Sequence, residues 1–376
     1  RELSRWSSRR VYLWGMVIIP LTVAFFFLNL MDAGLPTKVP TAIVDLDNSS
    51  MSRTLTQSLG TTELIDIKEH ASSYHEAMEM VRSGKIYGFF LIPREFEAHA
   101  LAGRTPTLTY YSNMTYFVPG TLSFKGFKTM AVLTSGKVVE TSLTGRGISE
   151  DIAGTLLQPV VVDVHPLGNP WTNYSIYLCN SFIPGLLELM IFLLTCFAIC
   201  GEIKHGTSRG WLAAANGSIT TAIIGKLLPQ TIVFTTIGWF FDALLFKYFH
   251  FPCEHLGNMI IAMPLFVIAC QSFALLVCSV VPNLRLALSI CSLTGILAFS
   301  IAGFSFPVEN MYGAIGIFSY ILPVRWYFLI YIDQALNGID LYYSRYYYVA
   351  LIMFVLAACA IAWRLKKRCI NPVYVP

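Results

Sequence analysis

Few residues in this chain stand at spacings that do chemistry. Cys196 and Cys200 lie one helical turn apart, as two ligands on one helix face would, but no His or further Cys beside them completes a metal site. They share apolar surroundings with Cys270, Cys278, Cys291 and Cys359, where cysteine behaves as a small hydrophobe. His70, His75, His99 and His165 are scattered, with no nucleophile, base and orienting group in sequence register. A phosphate-gripping Gly-x-x-x-x-Gly-Lys-Ser/Thr loop does not occur; Gly225-Lys226 lacks the upstream glycine at the required distance. The expectation is a chain with no catalytic site, metal or cofactor of its own. What stands out instead is a set of charges in apolar company: Glu188, Lys226 and Asp242, and the segment Glu202-Ile-Lys-His-Gly206-Thr207-Ser208-Arg209.

The elements that must position these residues follow from composition. Of 376 residues, 55% are hydrophobic and only 13% charged, against about 25% charged in soluble domains. Long uncharged runs alternate with one mixed-polarity stretch, the pattern of a membrane protein with an inserted domain. A spanning helix needs about 20 mostly apolar residues. Val11–Met31, Ile176–Cys200, Ile219–Phe246, Leu256–Val281, Leu286–Phe304 and Tyr346–Trp363 meet that need. A seventh stretch, Ala314–Ile332, is interrupted by Pro323 and Arg325 and reads as two short re-entrant or interfacial helices. Glu188 then lies mid-span, where an ionisable group is costly and faces protein or water. It lines a pathway and meets cationic cargo or a partner helix, or else it is protonated, or hydrogen-bonded to Ser181, Thr195 or a neighbouring helix. Lys226 and Asp242 are near enough to span ends to snorkel, and Tyr342–Tyr348 reads as an interfacial belt.

Short basic flanks set the orientation. Arg5, Arg9 and Arg10 precede the first span; Lys204 and Arg209, Arg285, and Arg364 to Arg368 flank the others. Six spans put all of these on one side, which the positive-inside rule makes the cytosol. Both termini are then cytosolic, and residues 32–175 face outward. Arg1–Arg10, with Trp6 among its basic residues, reads as an amphipathic helix at the cytosolic interface. The chain opens inside that segment without a Met, so residues before Arg1 are expected. The first span is too long for a signal peptide, and no small-residue cleavage site follows it. The net charge of +4 gathers beside apolar runs and forms no aromatic-interleaved patch, so nucleic acid is not an expected partner.

Within residues 32–175, strands are expected at Thr41–Leu46, Leu64–Ile67, Tyr87–Ile92 and Leu108–Tyr111. Helices are expected from the Asp47-Asn-Ser-Ser caps to Leu59, over Ser72–Ser83 and over Arg94–Ala102. Tyr116–Thr144 has a helical period with breaks at Gly120, Gly126 and Gly136, and Val160–Val164 reads as a last strand. The expected whole is an α-helical membrane protein of six transmembrane helices with an extracytoplasmic α/β domain inserted between the first two. Its parts are 1–31, 32–175 and 176–376, the last with a loop at 201–218 and a re-entrant segment at 305–340. Asn48, Asn113 and Asn173 begin glycosylation triplets, which carry weight only in a eukaryotic source.

Three stretches together resemble the ABC-2 family of transporter permeases. One is Glu202-Ile-Lys-His-Gly206-Thr207 after the second span, followed by Gly225-Lys226-Leu-Leu-Pro229. Another is Phe304-Ser-Phe-Pro307-Val-Glu309-Asn310-Met311 with Ser319-Tyr-Ile-Leu-Pro323 and Trp326-Tyr327. The third is Asn169-Pro170, Tyr174 and Phe182-Ile-Pro184-Gly185. Where family members often carry Thr-Pro before the turn, this chain has Ala213-Ala-Ala-Asn-Gly-Ser218.

The resemblance covers essentially the whole chain, and the long insert looks like that of bacterial exporters of drugs and small molecules. It implies a permease without its own ATPase site, with ATP and Mg on a separate ATP-binding subunit. It further implies a second permease copy or paralogue and an inner-membrane location. The insert's size suits a periplasmic adaptor and an outer-membrane duct. Glu202, Gly206, Thr207, Ser208 and Arg209 are implied to couple to the ATPase: Thr207 and Ser208 cap a helix beginning at Arg209, and Glu202 pairs with a basic residue of the partner or of Arg1–Arg10. Pro307, Glu309 and Asn310 form the external loop motif. Two other readings compete. A non-transporting receptor or scaffold would explain the outer domain but not the Glu202–Thr207 segment. A secondary transporter would show inverted repeats, and none is visible.

Overall fold

The computed structural model describes residues 10–31, 34, 37–102, 104, 107–144, 169 and 173–372. The chain divides into two compact units, Arg1–Gly34 with His165–Pro376, and Leu35–Val164.

In the first unit, six helices among the described residues are long and apolar enough to cross a membrane. They are α1 (Arg10–Leu30), α6 (Tyr174–Lys204), α8 (Ile219–Tyr248), α9 (Leu256–Val280), α10 (Leu284–Ile301) and α13 (Leu341–Ile370). Prolines 184, 229 and 264 lie inside α6, α8 and α9; neighbouring helices let such breaks stand in a bundle. The core runs along α6 and α9, where Phe192, Phe266, Cys270 and Ala274 are fully buried. The last helix extends well past the expected Tyr346–Trp363 at both ends. The tyrosine cluster and the basic tail continue its backbone instead of ending it. A short helix, α7 (Ser208–Ala214), joins α6 to α8. Between α10 and α13 lie α11 (Gly313–Ser319) and α12 (Pro323–Leu336), bent 80° from each other. They stand where two short helices were expected. Pro323 occupies the first turn of α12, where its missing N–H costs no bond.

The second unit is built on a four-stranded sheet of order β2-β1-β3-β4. These are β1 (Val39–Asp45), β2 (Ile65–His70), β3 (Gly88–Ile92) and β4 (Thr109–Ser112). β1 runs parallel to β2 and β3, and β4 is antiparallel to β3. Alternation along β1 sends Ile43 to one apolar cluster, with Phe90 and Leu55, and Ala42 and Val44 to another, with Phe89 and Ile86. Helix α2 (Ser50–Gly60) starts where the Ser49 hydroxyl accepts the Ser52 N–H. At α3 (Tyr74–Arg82), Ser73 accepts the Glu76 N–H while the Glu76 carboxylate accepts the Ser72 N–H. Asp47 reaches across from the end of β1 and accepts the N–H groups of Phe96 and Glu97, which begin α4 (Phe96–Leu101).

One expectation in this unit is corrected. α5 runs without interruption over Phe117–Thr144, so Gly120 and Gly126 are not breaks. They are points of close approach. A β-carbon would stand 2.8 Å from the Asn113 carbonyl oxygen at Gly120, and 2.9 Å from Ile65 Cδ1 at Gly126. The strand expected at 160–164 lies outside the described residues.

Candidate functional site

The 201–218 segment is built from its own end of the chain upward. α6 stops at Gly206, whose φ of +67° suits glycine. The Gly206 N–H bonds to the Ile203 carbonyl and the Thr207 N–H to the Glu202 carbonyl at 2.9 Å, a Schellman turn. This turn folds Thr207 back so that its hydroxyl donates to Glu202 Oε2. Glu202 Oε1 meets Lys226 Nζ at 2.6 Å, both side chains almost wholly buried at 5% and 3% exposure. The Lys226 ammonium also lies 5.4 Å from the centre of the Trp211 ring, and Trp211 Nε1 donates to the Ala222 carbonyl at 3.2 Å.

Three expectations change here. Glu202 pairs with Lys226 of the same chain. Lys226 does not snorkel but is buried against that carboxylate. Thr207 and Ser208 do not cap α7 with their side chains; the helix already begins at Ser208. Their hydroxyls are taken elsewhere. Ser208 donates to the Cys369 carbonyl at 3.0 Å, and Arg209 Nε donates to the Ile370 carbonyl at 2.7 Å. These carbonyls end α13, where the last turn leaves acceptors without intrahelical partners. So α7 is tied to α6, α8 and α13. Removing one member of a buried ion pair typically costs about 3–5 kcal/mol, since the other charge stays uncompensated.

A second polar constellation surrounds α12. Glu188 is fully buried, and its Oε1 accepts the Val324 N–H at 3.2 Å, a free donor in the first turn of α12. Asp242 is also buried, and its Oδ1 accepts the Tyr327 hydroxyl at 3.3 Å one turn later. Arg325 Nη1 donates to the Ala302 carbonyl at 3.1 Å, and its guanidinium lies 4.9 Å from the Tyr320 ring centre. Asp242 was expected to snorkel; the structure instead folds it inward, because Tyr327 supplies a donor that lipid does not. Of the partners considered for Glu188, the neighbouring helix is the one it meets.

α1, α6 and α10 leave an apolar groove of about 930 Å³. Trp14, Ile19, Leu194, Phe197, Leu293 and Ile296 line it, and Arg10, Ser289 and Ser292 supply its few polar groups. α1 carries a π-helical turn over Trp14–Ile18 beside this groove, and such turns often mark functional positions. Glu188 is not among the lining residues, which on α6 are Met190, Leu193, Leu194 and Phe197.

Pro307, Glu309 and Asn310 form an exposed turn whose one buried residue, Val308, anchors it. Arg5, Trp6 and Arg9 lie outside the described residues. Sequence reasoning missed the gathering of thiols: Cys196 Sγ lies 3.3 Å from Cys291 Sγ and 3.5 Å from Cys278 Sγ. These cysteines are far apart in the chain, so spacing gave no signal. Among the described residues no group of three potential ligands is placed to hold a metal ion.

The profile of the ABC-2 family transporter proteins matches residues 10–365, nearly the whole chain. The chain belongs to the ABC-2 family. This ABC-2 protein is therefore a multi-pass membrane component of an ABC transporter, a permease subunit. The family's membrane subunit is generally not catalytic itself, and membership implies a partner ATP-binding subunit. A search among curated proteins returns no match.

Proposed function

We propose that this ABC-2 protein is the permease of a bacterial inner-membrane exporter. It moves an amphipathic small molecule, drug or lipid out of the cytoplasm or the inner leaflet. ATP is hydrolysed with Mg on a separate subunit, and two copies of the chain, or one copy and a paralogue, enclose the pathway. Both termini and the 201–218 segment face the cytosol; the 32–175 region is an extracytoplasmic α/β domain that suits an adaptor and an outer-membrane duct.

The observation that carries this reading is the 201–218 segment. It is short, opens on the Schellman turn at Gly206 and is bonded to α8 and α13. A force applied to α7 by a partner has direct polar routes into three spans. The groove between α1, α6 and α10 supports an amphipathic cargo, since its walls are apolar and its polar groups few.

The test is reconstitution with the candidate ATP-binding subunit in proteoliposomes. ATP-dependent movement of ethidium, deoxycholate or a fluorescent phospholipid is expected. Gly206→Pro, which forbids the positive φ of the turn, is expected to abolish it. A permease that copurifies with no ATP-binding subunit and moves none of the three probes overturns the reading. Orientation is checked separately: in a background without the native cysteines, a cysteine placed at 60 should react with an impermeant thiol reagent in spheroplasts, and those at 205 or 367 should not.

A further inference from the structure

Small residues and one aromatic ring face each other where α7 meets α8. A cleft of about 500 Å³ lies between them, bordered by Gly206, Gly210, Ala214, Ala215, Ala222 and Gly225. A β-carbon added at Gly206, Gly210 or Gly225 would meet no heavy atom within 4 Å. Interdigitated side chains normally transmit displacement between packed helices, and here small residues leave that route thin. Two side chains cross the gap, Trp211 from α7 and Lys226 from two turns into α8. The Lys226 ammonium bonds to Glu202 on the last turn of α6 and stands over the Trp211 ring of α7. Trp211 in turn bonds to the Ala222 carbonyl of α8.

We propose that Lys226 is a positioning residue for coupling: it passes displacement of α7 to α8 through its contact with Trp211 and through its ion pair with the Glu202 carboxylate of α6, which also accepts the Thr207 hydroxyl at the start of α7. This rests on the reading that α7 takes the push of the ATP-binding subunit. A purely structural ion pair would behave differently. Replacing a buried pair by apolar residues of similar size is often neutral or stabilising. Such a replacement would keep α6 and α8 together while removing the directional link.

The experiment uses the complete complex with its ATP-binding subunit, in nanodiscs. Spin labels sit on the exposed positions Ile232 of α8 and Met353 of α13, with Cys359 and Cys253 changed to serine so that labelling is confined to them. The distance is measured without nucleotide and after trapping with ATP, Mg and vanadate. The native pair is expected to give a nucleotide-dependent shift. Glu202→Leu with Lys226→Met is expected to lose it, and Glu202→Lys with Lys226→Glu to recover it. A full shift in the apolar double variant overturns the proposal. So does failure of both double variants to accumulate, which makes the pair a folding requirement. No shift in the native complex, whatever the variants do, counts against the coupling reading of α7 and not against Lys226 alone.

Discussion

In the insert, Ser49, Ser73 and Glu76 bond to backbone within four residues of themselves. In the helix bundle, Glu202 reaches Lys226 across 24 residues, Asp242 reaches Tyr327 across 85, and Glu188 reaches Val324 across 136. The insert's capping groups sit near water, and each satisfies the end of its own helix. Glu202, Asp242 and Glu188 are buried, and each fastens one element to another. The difference follows from the surroundings. Water competes for a capping carboxylate and keeps its worth near 1 kcal/mol. In the dry bundle a charge without a partner is far more costly, so these three buried carboxyl groups each define a tertiary joint. Asp47, just past β1, reaches α4 and is an exception in the insert, as is Ser50, whose hydroxyl donates to Glu97; Asp47 stays exposed enough to behave like the local caps.

This contrast breaks most visibly at Glu202. Glu202→Ala should lower stability by about 3–5 kcal/mol, because Lys226 is left buried and charged. The measurement is thermal unfolding of the purified protein in detergent; a loss below about 1 kcal/mol would make this pair no different from a surface one. A smaller effect is expected at Glu188. Glu188→Ala strips the first turn of α12 of an acceptor and should cost about 1–3 kcal/mol. Limited proteolysis should then cut more readily in 303–322, whereas Glu188→Gln, which keeps an acceptor oxygen, should not change the pattern.

The smallest effect is expected at Asp47. Burial pushes its carboxyl up, but the Ser49 hydroxyl and the backbone N–H groups of Glu97, Phe96 and Glu95 outweigh that and hold it below the usual carboxylate range. A folded-state pKa that is lowered gives stability that is present above the ordinary carboxylate pKa and lost as pH falls through the lowered one. Asp47→Asn should therefore cost about 1 kcal/mol or less near neutral pH and flatten the acid limb. Hydrogen exchange of the Phe96 and Glu97 amides, followed against pH, reads this directly. An acid limb unchanged in Asp47→Asn would remove Asp47 from the pH response.

Much of the architecture was legible along the chain. Apolar runs placed the six long helices, since a span is recognisable by length and hydropathy wherever its neighbours lie. The strands from β1 to β4 fall at or beside the expected positions, because β-branched and aromatic runs between turn residues carry a period of two. Gly206 was readable as a turn because one residue type alone fits its backbone. Gly120, Gly126 and Gly136 of α5 were misread as breaks; at the first two the residue type serves close packing instead. Lys226 and Asp242 were misread as snorkelling because depth within a span can be counted from the sequence, but a partner cannot.

The sequence by itself determined the class of this protein, its spans and the segment between α6 and α8, because hydropathy and turn chemistry are properties of consecutive residues. The tertiary structure alone decided what each charge does. Glu202 chose Lys226, Glu188 chose the first turn of α12, and Ser208 and Arg209 chose the end of α13. Those choices follow from which helices pack side by side, and helix packing brings together donors and acceptors whose separation along the chain carries no trace of it.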